Sequence, residues 1–162
     1  MLTCCVTGHR QFPALSRETL WGWLESAVQQ AIDDGYACFL SGFAEGADQI
    51  FAQIVYEKSH RYPIRLEAAL PYRDRYRQLT HSPAACALLR ACAAVHMVSE
   101  DYAPGVYHKR NRFMVEHSSR VIAAYDGRKT GGTAYTVNYA RRLGRQLILL
   151  PIAAKGAGTF RL

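Results

Sequence analysis

Apolar residues in this chain come in short runs separated by amphipathic stretches. Residues 2–7 (LTCCVT) are apolar and β-prone and stop at Gly8, which predicts a buried first strand. Ser16 follows as a helix N-cap. Leu20, Trp23, Leu24, Ala27, Val28 and Ala31 then recur on one helical face to about Asp34, with Gly35 placed as the C-terminal cap. The alternation continues along the chain. Residues 36–40, 64–70, 94–98, 120–125 and 146–150 read as strands. Residues 47–59, 72–79 and 82–92, the stretch from Gly105 to about Ser119, and residues 133–143 read as helices. Ser82-Pro83 supplies an N-cap and first turn, and Gly144 caps the last helix. Strands that alternate with helices need right-handed crossovers and a mostly parallel sheet covered on both faces. Near-continuous apolar strands agree with burial on both sides. The expected fold is α/β: a Rossmann-like three-layer sandwich with a doubly wound sheet of about six strands. Residues 1–151 are expected to form one domain and residues 152–162 a loose tail.

Composition narrows the function classes. Of the 162 residues, 49% are hydrophobic and 20% charged, enough apolar material for a full core and unlike a disordered chain. The net charge of +7 favours anionic partners: nucleic acid, acidic lipid or phosphorylated metabolites. The basic residues are scattered, and the densest cluster, Lys109, Arg110 and Arg112, is short. A localised phosphate pocket therefore fits as well as an extended nucleic-acid surface. Five cysteines (Cys4, Cys5, Cys38, Cys86 and Cys92), with no secretory leader pattern, read as structural thiols and not as a disulfide framework. No Cys/His cluster has zinc spacing, so no metal site is expected. No apolar run approaches the ~20 residues needed to span a bilayer. A cytoplasmic location without a membrane partner is the resulting expectation.

In a doubly wound sheet, ligands bind beyond the carboxyl ends of the strands. The loops at those ends are therefore informative: Gly8-His9-Arg10, S-G-F-A-E-G-A-D over 41–48, residues 99–107 leading into 109–114, and D-G-R-K-T-G-G-T over 126–133. The last has the clearest mechanism. Gly131 and Gly132 allow close backbone approach, and Thr133 offers a hydroxyl beside the free N–H groups of a helix start. A phosphate there gains roughly 0.3–2 kcal/mol from the helix dipole. A tight turn with Thr133 as a plain N-cap is the bland alternative. In the second loop Gly42 and Gly46 also allow close approach. Asp48 could accept from ribose hydroxyls or simply favour the first helical turn. The spacing matches neither G-x-G-x-x-G nor the P-loop. Arg10 suits bidentate phosphate contact, with a surface salt bridge as its alternative, and His9 reads as structural. Arg110 and Asn111 could face the crevice; otherwise Lys109 and Arg112 are solvated while Phe113 and Val115 hold the core. No nucleophile–base order is present, so catalytic residues stay unassigned.

Four segments in this order, V-T-G-H-R, L-S-G-x-x-x-G-A-D, R-N-R-F-M and Y-D-G-x-x-x-G-G-T, resemble the YpsA-like family of the SLOG superfamily across residues 3–151. DNA-processing protein A and the LOG ("lonely guy") proteins are relatives in that superfamily. The resemblance implies a Rossmann-like fold with a pocket for a nucleotide, ADP-ribose-like or dinucleotide ligand. It carries over Gly8, Arg10, Ser41, Gly42, Gly46, Asp48, Arg110, Asn111, Asp126, Gly131, Gly132 and Thr133 as ligand-binding positions. LOG proteins cleave the base from nucleoside monophosphates, with P-G-G-x-G-T-x-x-E and an upstream R-K-x-x-M. Arg110 and Met114 match the upstream segment, and Asn111 replaces its Lys. Gly131-Gly132-Thr133 lacks the third glycine, and Thr136, Val137 and Asn138 supply no glutamate. Glu45 and Asp48 are the carboxylates left to substitute. The leading expectation is thus a nucleotide-binding sensor or regulatory module. A nucleoside monophosphate phosphoribohydrolase is second. Single-stranded DNA binding is third, through Tyr72, Tyr76, Tyr102 and Tyr107 beside Arg73, Arg75 and Arg77; local packing of those tyrosines is the alternative. A small phosphorylated ligand is the first expected partner, ahead of nucleic acid, with a protein partner and a homo-oligomer left open.

Overall fold

A computed structural model describes residues 1–12 and 15–152. Pro13 and Ala14, and residues 153–162 of the expected tail, lie outside the described residues. The elements run β1 (Leu2–Gly8), α1 (Arg17–Asp33), β2 (Tyr36–Ser41), α2 (Ala47–Lys58), β3 (Arg65–Leu70), α3 (Arg73–Thr80), α4 (Pro83–Ala91), β4 (Ala94–Met97), α5 (Val106–Glu116), β5 (Arg120–Ala124), α6 (Gly132–Arg142) and β6 (Gln146–Leu149). The strands form one sheet in the order β4-β3-β2-β1-β5-β6, and every pairing is parallel. This is the doubly wound Rossmann-like architecture.

Side-chain alternation in the strands builds the two outer layers. Cys4, Val6, Phe39, Leu66, Ile122 and Ala124 pack in one core with α1, α2 and α4, including Leu24, Val28, Phe51 and Leu88. Cys5, Leu40, Ala69 and Val121 point the other way, against Met114 and Val115 of α5 and Ala140 of α6. Both sheet faces are therefore dry in the centre, which is why the central strands read as unbroken apolar runs. The edge strands depart from that expectation. β4 and β6 pair on one side only and stay half-buried, with Val95 exposed. Burial of Cys4 and Cys5 pushes both thiols up, Cys5 to about 12, so neither is a ready nucleophile.

Local signals place the helix ends. Ser16 Oγ accepts from Thr19 N at 3.1 Å, and Ser82 Oγ accepts from Ala85 N at 3.4 Å. Helix α5 stops at Glu116, short of the expected Ser119, because Ser119 N already donates to Thr3 O at 3.0 Å as the chain enters the sheet. Thr133 is not the N-cap of α6. Gly131 takes that place with φ +103°, a left-handed value that glycine adopts without strain, and its cap has no side-chain hydrogen bond.

The chain winds from β1 leftward to β4, then crosses back to β5 on the other side of β1. The loops after β1 and β5 lead to helices on opposite faces and part from each other, opening a crevice at the carboxyl ends of these two strands. Gly8 and Ala124, paired in register, mark its floor.

Candidate functional site

A cleft of about 630 Å³ occupies that crevice, within the usual range for a small-molecule site. Its lining comes from the β1 loop (Gly8, His9, Arg10, Gln11), the first turn of α2 (Asp48), α5 (Tyr107, His108, Arg110, Asn111) and the start of α6 (Gly131, Gly132, Thr133), with Arg128 at one side. Gly8, Arg10, Asp48, Arg110, Asn111, Gly131, Gly132 and Thr133, all expected from sequence, are thus brought together. Ser41, Gly42, Gly46 and Asp126 are not on the lining; they stand behind it and shape it.

Those four have definable structural work. Ser41 Oγ donates to Asp48 O at 2.9 Å and accepts from Phe43 N at 3.2 Å, tying the end of β2 to the first turn of α2. A Cβ on Gly42 would lie 2.8 Å from Arg110 Nη1 and 2.9 Å from Asp48 Oδ2, so a side chain there would displace the end of one or both. Gly46 has φ +84°, and a Cβ there would meet the carbonyls of Arg10 and His9 at 2.7 and 2.8 Å; it packs α2 under the β1 loop. Asp126 is held by Arg128, whose Nε donates to both carboxylate oxygens at 3.0 Å and which keeps that carboxyl well below the usual carboxylate range. His9 Nε2 lies 3.0 Å from Asp126 Oδ1 and 3.2 Å from the Asp126 backbone nitrogen. A single ring nitrogen either donates to Oδ1 or accepts from the Asp126 backbone N–H, according to the tautomer, and either way it ties His9 to Asp126. Burial lowers the His9 pKa, and the ring packs between Phe12 and Tyr125. His9 is therefore a tie between the β1 and β5 loops.

Arg110 is the centre of the site's electrostatics. It is 5% exposed, donates from Nη1 to Gly42 O at 2.7 Å and from Nε to Asn111 Oδ1 at 2.8 Å. Burial lowers its pKa against the opposing pull of Asp48. Because Arg110 occupies the Asn111 carbonyl, the Asn111 Nδ2 donors remain free and lie toward Gly132, 3.8 Å from where a Cβ on that residue would sit. Tyr107 lies beneath both cleft arginines, 5.9 Å from Arg10 and 5.8 Å from Arg110. Among the described residues neither Arg10 nor Arg110 has a carboxylate oxygen within 4.0 Å. Asp48, 6% exposed, has its carboxyl raised to about 6, chiefly by burial, against the lowering effect of Arg110 and of nearby backbone amides.

Tyr107, which in sequence ends the loop over 99–107 and stands among the stacking tyrosines but not among the expected ligand-binding positions, also lines the cleft. A signal for it exists: Tyr107, Arg110, Asn111 and Met114 recur at helical spacing and share one face of α5. His108, Gln11 and Arg128 carry no such signal. Of the tyrosines considered for base stacking, Tyr72 is buried and packs edge-on against Tyr102 and Tyr107, at 5.6 and 6.2 Å, while Tyr102 and Tyr76 stay exposed. No group of three or more His, Cys, Asp or Glu among the described residues could hold a metal ion. No helix among them is long and apolar enough to cross a membrane.

Fold and cleft together define a doubly wound α/β domain with a donor-rich pocket at the point where its strand order reverses. The chain belongs to the YspA SLOG family (YpsA), whose model matches residues 4–147. It is similar to the uncharacterized SPbeta prophage-derived protein YoqJ of Bacillus subtilis (strain 168), with 43% identity over 49 residues, which cover 29% of this chain and 28% of that protein. In structure it is similar to DNA processing protein A (DprA) from Streptococcus pneumoniae, with a TM-score of 0.66 and 19% identity, covering 91% of this chain and 50% of that one. It is also similar to TM1055, with a TM-score of 0.61 and 17% identity, covering 91% of this chain and 72% of that one. At these identities the two structures establish the shared fold. The chain spans about half of the DprA chain and under a third of YoqJ.

Proposed function

We propose that the cleft binds the phosphate of a nucleotide or nucleotide-derived ligand, and that the protein acts as a nucleotide-responsive binding module. One observation carries this reading. The uncapped start of α6 and two arginines that have no carboxylate partner among the described residues, one of them buried, meet at one cleft. Free N–H groups at a helix start attract an anion through hydrogen bonds and the helix dipole. Arg10, Arg110 and Asn111 Nδ2 add donors from two other elements, and the surrounding burial strengthens each interaction. Membership of the SLOG family supports the same class of ligand, including ADP-ribose-like and dinucleotide compounds.

The test is a thermal-shift panel of AMP, ADP, ATP, NAD, ADP-ribose and cyclic nucleotides on the wild type and on Gly132→Asp. Gly132 has ordinary van der Waals room for a Cβ, so a side chain is tolerated there, and aspartate adds a negative charge at the helix start proposed for the phosphate. A ligand at 100 times its Kd adds about 2.7 kcal/mol, or roughly 5–11 °C. A shift lost in the variant is the expected result; no shift with any compound refutes the proposal.

A hydrolytic reading ranks second and rests on Asp48, a buried carboxyl raised to about 6 on the cleft wall, which suits proton transfer near neutral pH. Release of free base from AMP at micromolar protein would establish it.

A further inference from the structure

The cleft contains one group that works against anion binding. Asp48 is a carboxylate on the wall of a site otherwise made of donors, and it is nine-tenths buried. Arg110 does not neutralise it by contact: its Nη1 is spent on Gly42 O and its Nε on Asn111 Oδ1. No Lys, Arg or His nitrogen among the described residues lies within 4.0 Å of the carboxylate. Backbone amides meet it instead: Ala44 N lies 3.4 Å from Oδ2, and the Gly42 amide also favours the charged form. An ionised carboxylate accepts at about four positions, so two backbone amides leave acceptor capacity on a residue that lines the cleft. Burying such a charge without a contacting cation costs stability, and its field repels the phosphate that the rest of the site attracts. The dipole of α2 favours an acidic residue in its first turn, which offsets part of the desolvation cost but leaves the repulsion of a phosphate unexplained.

A hydroxyl on the ligand reconciles these features. It would donate to the carboxylate, satisfy its free lone pairs, and leave the phosphate to the arginines and α6. We propose that Asp48 is the specificity-determining residue of the cleft, accepting a sugar hydroxyl, so that the ligand class is the phosphorylated ribosides and not deoxyribosides or free phosphate. This inference rests on the phosphate-binding reading above. It assigns the two halves of the site to the two halves of the ligand: donors for the phosphate, one acceptor for the ribose. A site built to hydrogen-bond a hydroxyl rejects the analogue lacking it, because its own buried group is then left unpaired.

The test is isothermal titration at pH 7.5 with the ribonucleoside 5′-monophosphates, their 2′-deoxy and 2′,3′-dideoxy counterparts, and inorganic phosphate. Wild type and Asp48→Asn are compared, with far-UV circular dichroism confirming the variant's fold. Wild type is expected to prefer the ribonucleotide over its dideoxy counterpart by roughly ten-fold or more, the scale of one hydrogen bond to a charged group. In Asp48→Asn that ratio collapses, and the two ends of the ligand respond with opposite sign. The ribonucleotide binds more weakly, while inorganic phosphate binds as tightly as before or more tightly, because the repelling charge is gone. The wild-type ratio needs no variant, so a misfolded Asp48→Asn would not shield the proposal. Equal wild-type affinity for ribo and dideoxy compounds overturns it and leaves the phosphate reading standing. A ratio that survives in a folded Asp48→Asn also overturns it. Failure of every compound to bind wild type refutes the phosphate reading itself, and this inference with it.

Discussion

Replacing Asp48 by Asn should stabilise the protein at neutral pH and leave it unchanged in acid. The folded-state pKa is raised from 3.8 to about 6, mainly because burial penalises the charged form, while Arg110, Arg10 and the backbone amides of Ala44 and Gly42 hold the rise in check. The Cys5 thiol is coupled electrostatically to this carboxylate; its pKa, pushed up to about 12 chiefly by burial, keeps it neutral throughout the range tested. A raised carboxyl pKa means that the folded state keeps a proton which the unfolded chain has already lost. The stabilising contribution is therefore complete below pH about 4 and is lost as the pH rises through about 6. A shift of about two units corresponds to about 3 kcal/mol. Asparagine has a similar shape and no charge to desolvate, so the variant should gain up to about that amount above pH 7. For a domain of this size the gain is roughly 6–12 °C in Tm. Thermal unfolding of both proteins between pH 4 and pH 8, followed by circular dichroism, measures it. All other titrating groups are common to the two chains and cancel in the difference. A difference near zero at pH 4 that opens between pH 4 and pH 7 is the expected curve. A pH-independent difference, or a variant less stable at pH 7.5, would refute the argument that Asp48 is a desolvated, weakly compensated charge.

Three further outcomes separate framework from site. Gly8→Ala should destabilise by roughly 1–3 kcal/mol in urea titration, because its Cβ would meet Ala47 Cβ at 2.5 Å and Ala124 Cβ at 2.9 Å, and both are fixed by backbone. Gly132→Ala, with 3.8 Å to its nearest neighbour, should change stability by less than about 1 kcal/mol. Arg120→Met should lower Tm without altering ligand affinity. Arg120 is buried at the start of β5, donates to Asp34 and Gln146 at 2.7 Å and stacks on Tyr36, all at the end of the sheet remote from the cleft. A change in nucleotide affinity with Tm intact would contradict that assignment.

Much of the fold was legible in the chain because its signals are local. Ser16, Ser82, Gly35 and Gly144 mark helix ends through hydrogen bonds and dihedrals that involve only near neighbours. The all-parallel sheet follows from strand–helix alternation, since successive strands joined through helices have few other ways to pack. Loops at strand ends also pointed to the edge of the sheet where the cleft opens. Strand order was not legible. Nothing local states that β5 lies against β1 instead of continuing beyond β4, yet that choice opens the crevice and brings Arg10 to Gly131.

The same limit separates the candidate residues. From sequence, Gly42 and Gly132 are equivalent glycines of strand-end loops. In the folded protein Gly42 is pressed under Arg110 and Asp48, and Gly132 opens into the cleft. Asp48 and Asp126 are both acidic residues at such loops. One is buried with no cation in contact and titrates near 6; the other is clamped by Arg128 and stays ionised. The chain by itself determined which groups are present, which elements they sit in and which sheet edge they approach, because periodicity and capping act over a few residues. Which of them share a cleft, which carry a shifted pKa and which merely support the others was decided by tertiary packing, because desolvation and ion pairing depend on neighbours tens of residues away along the chain.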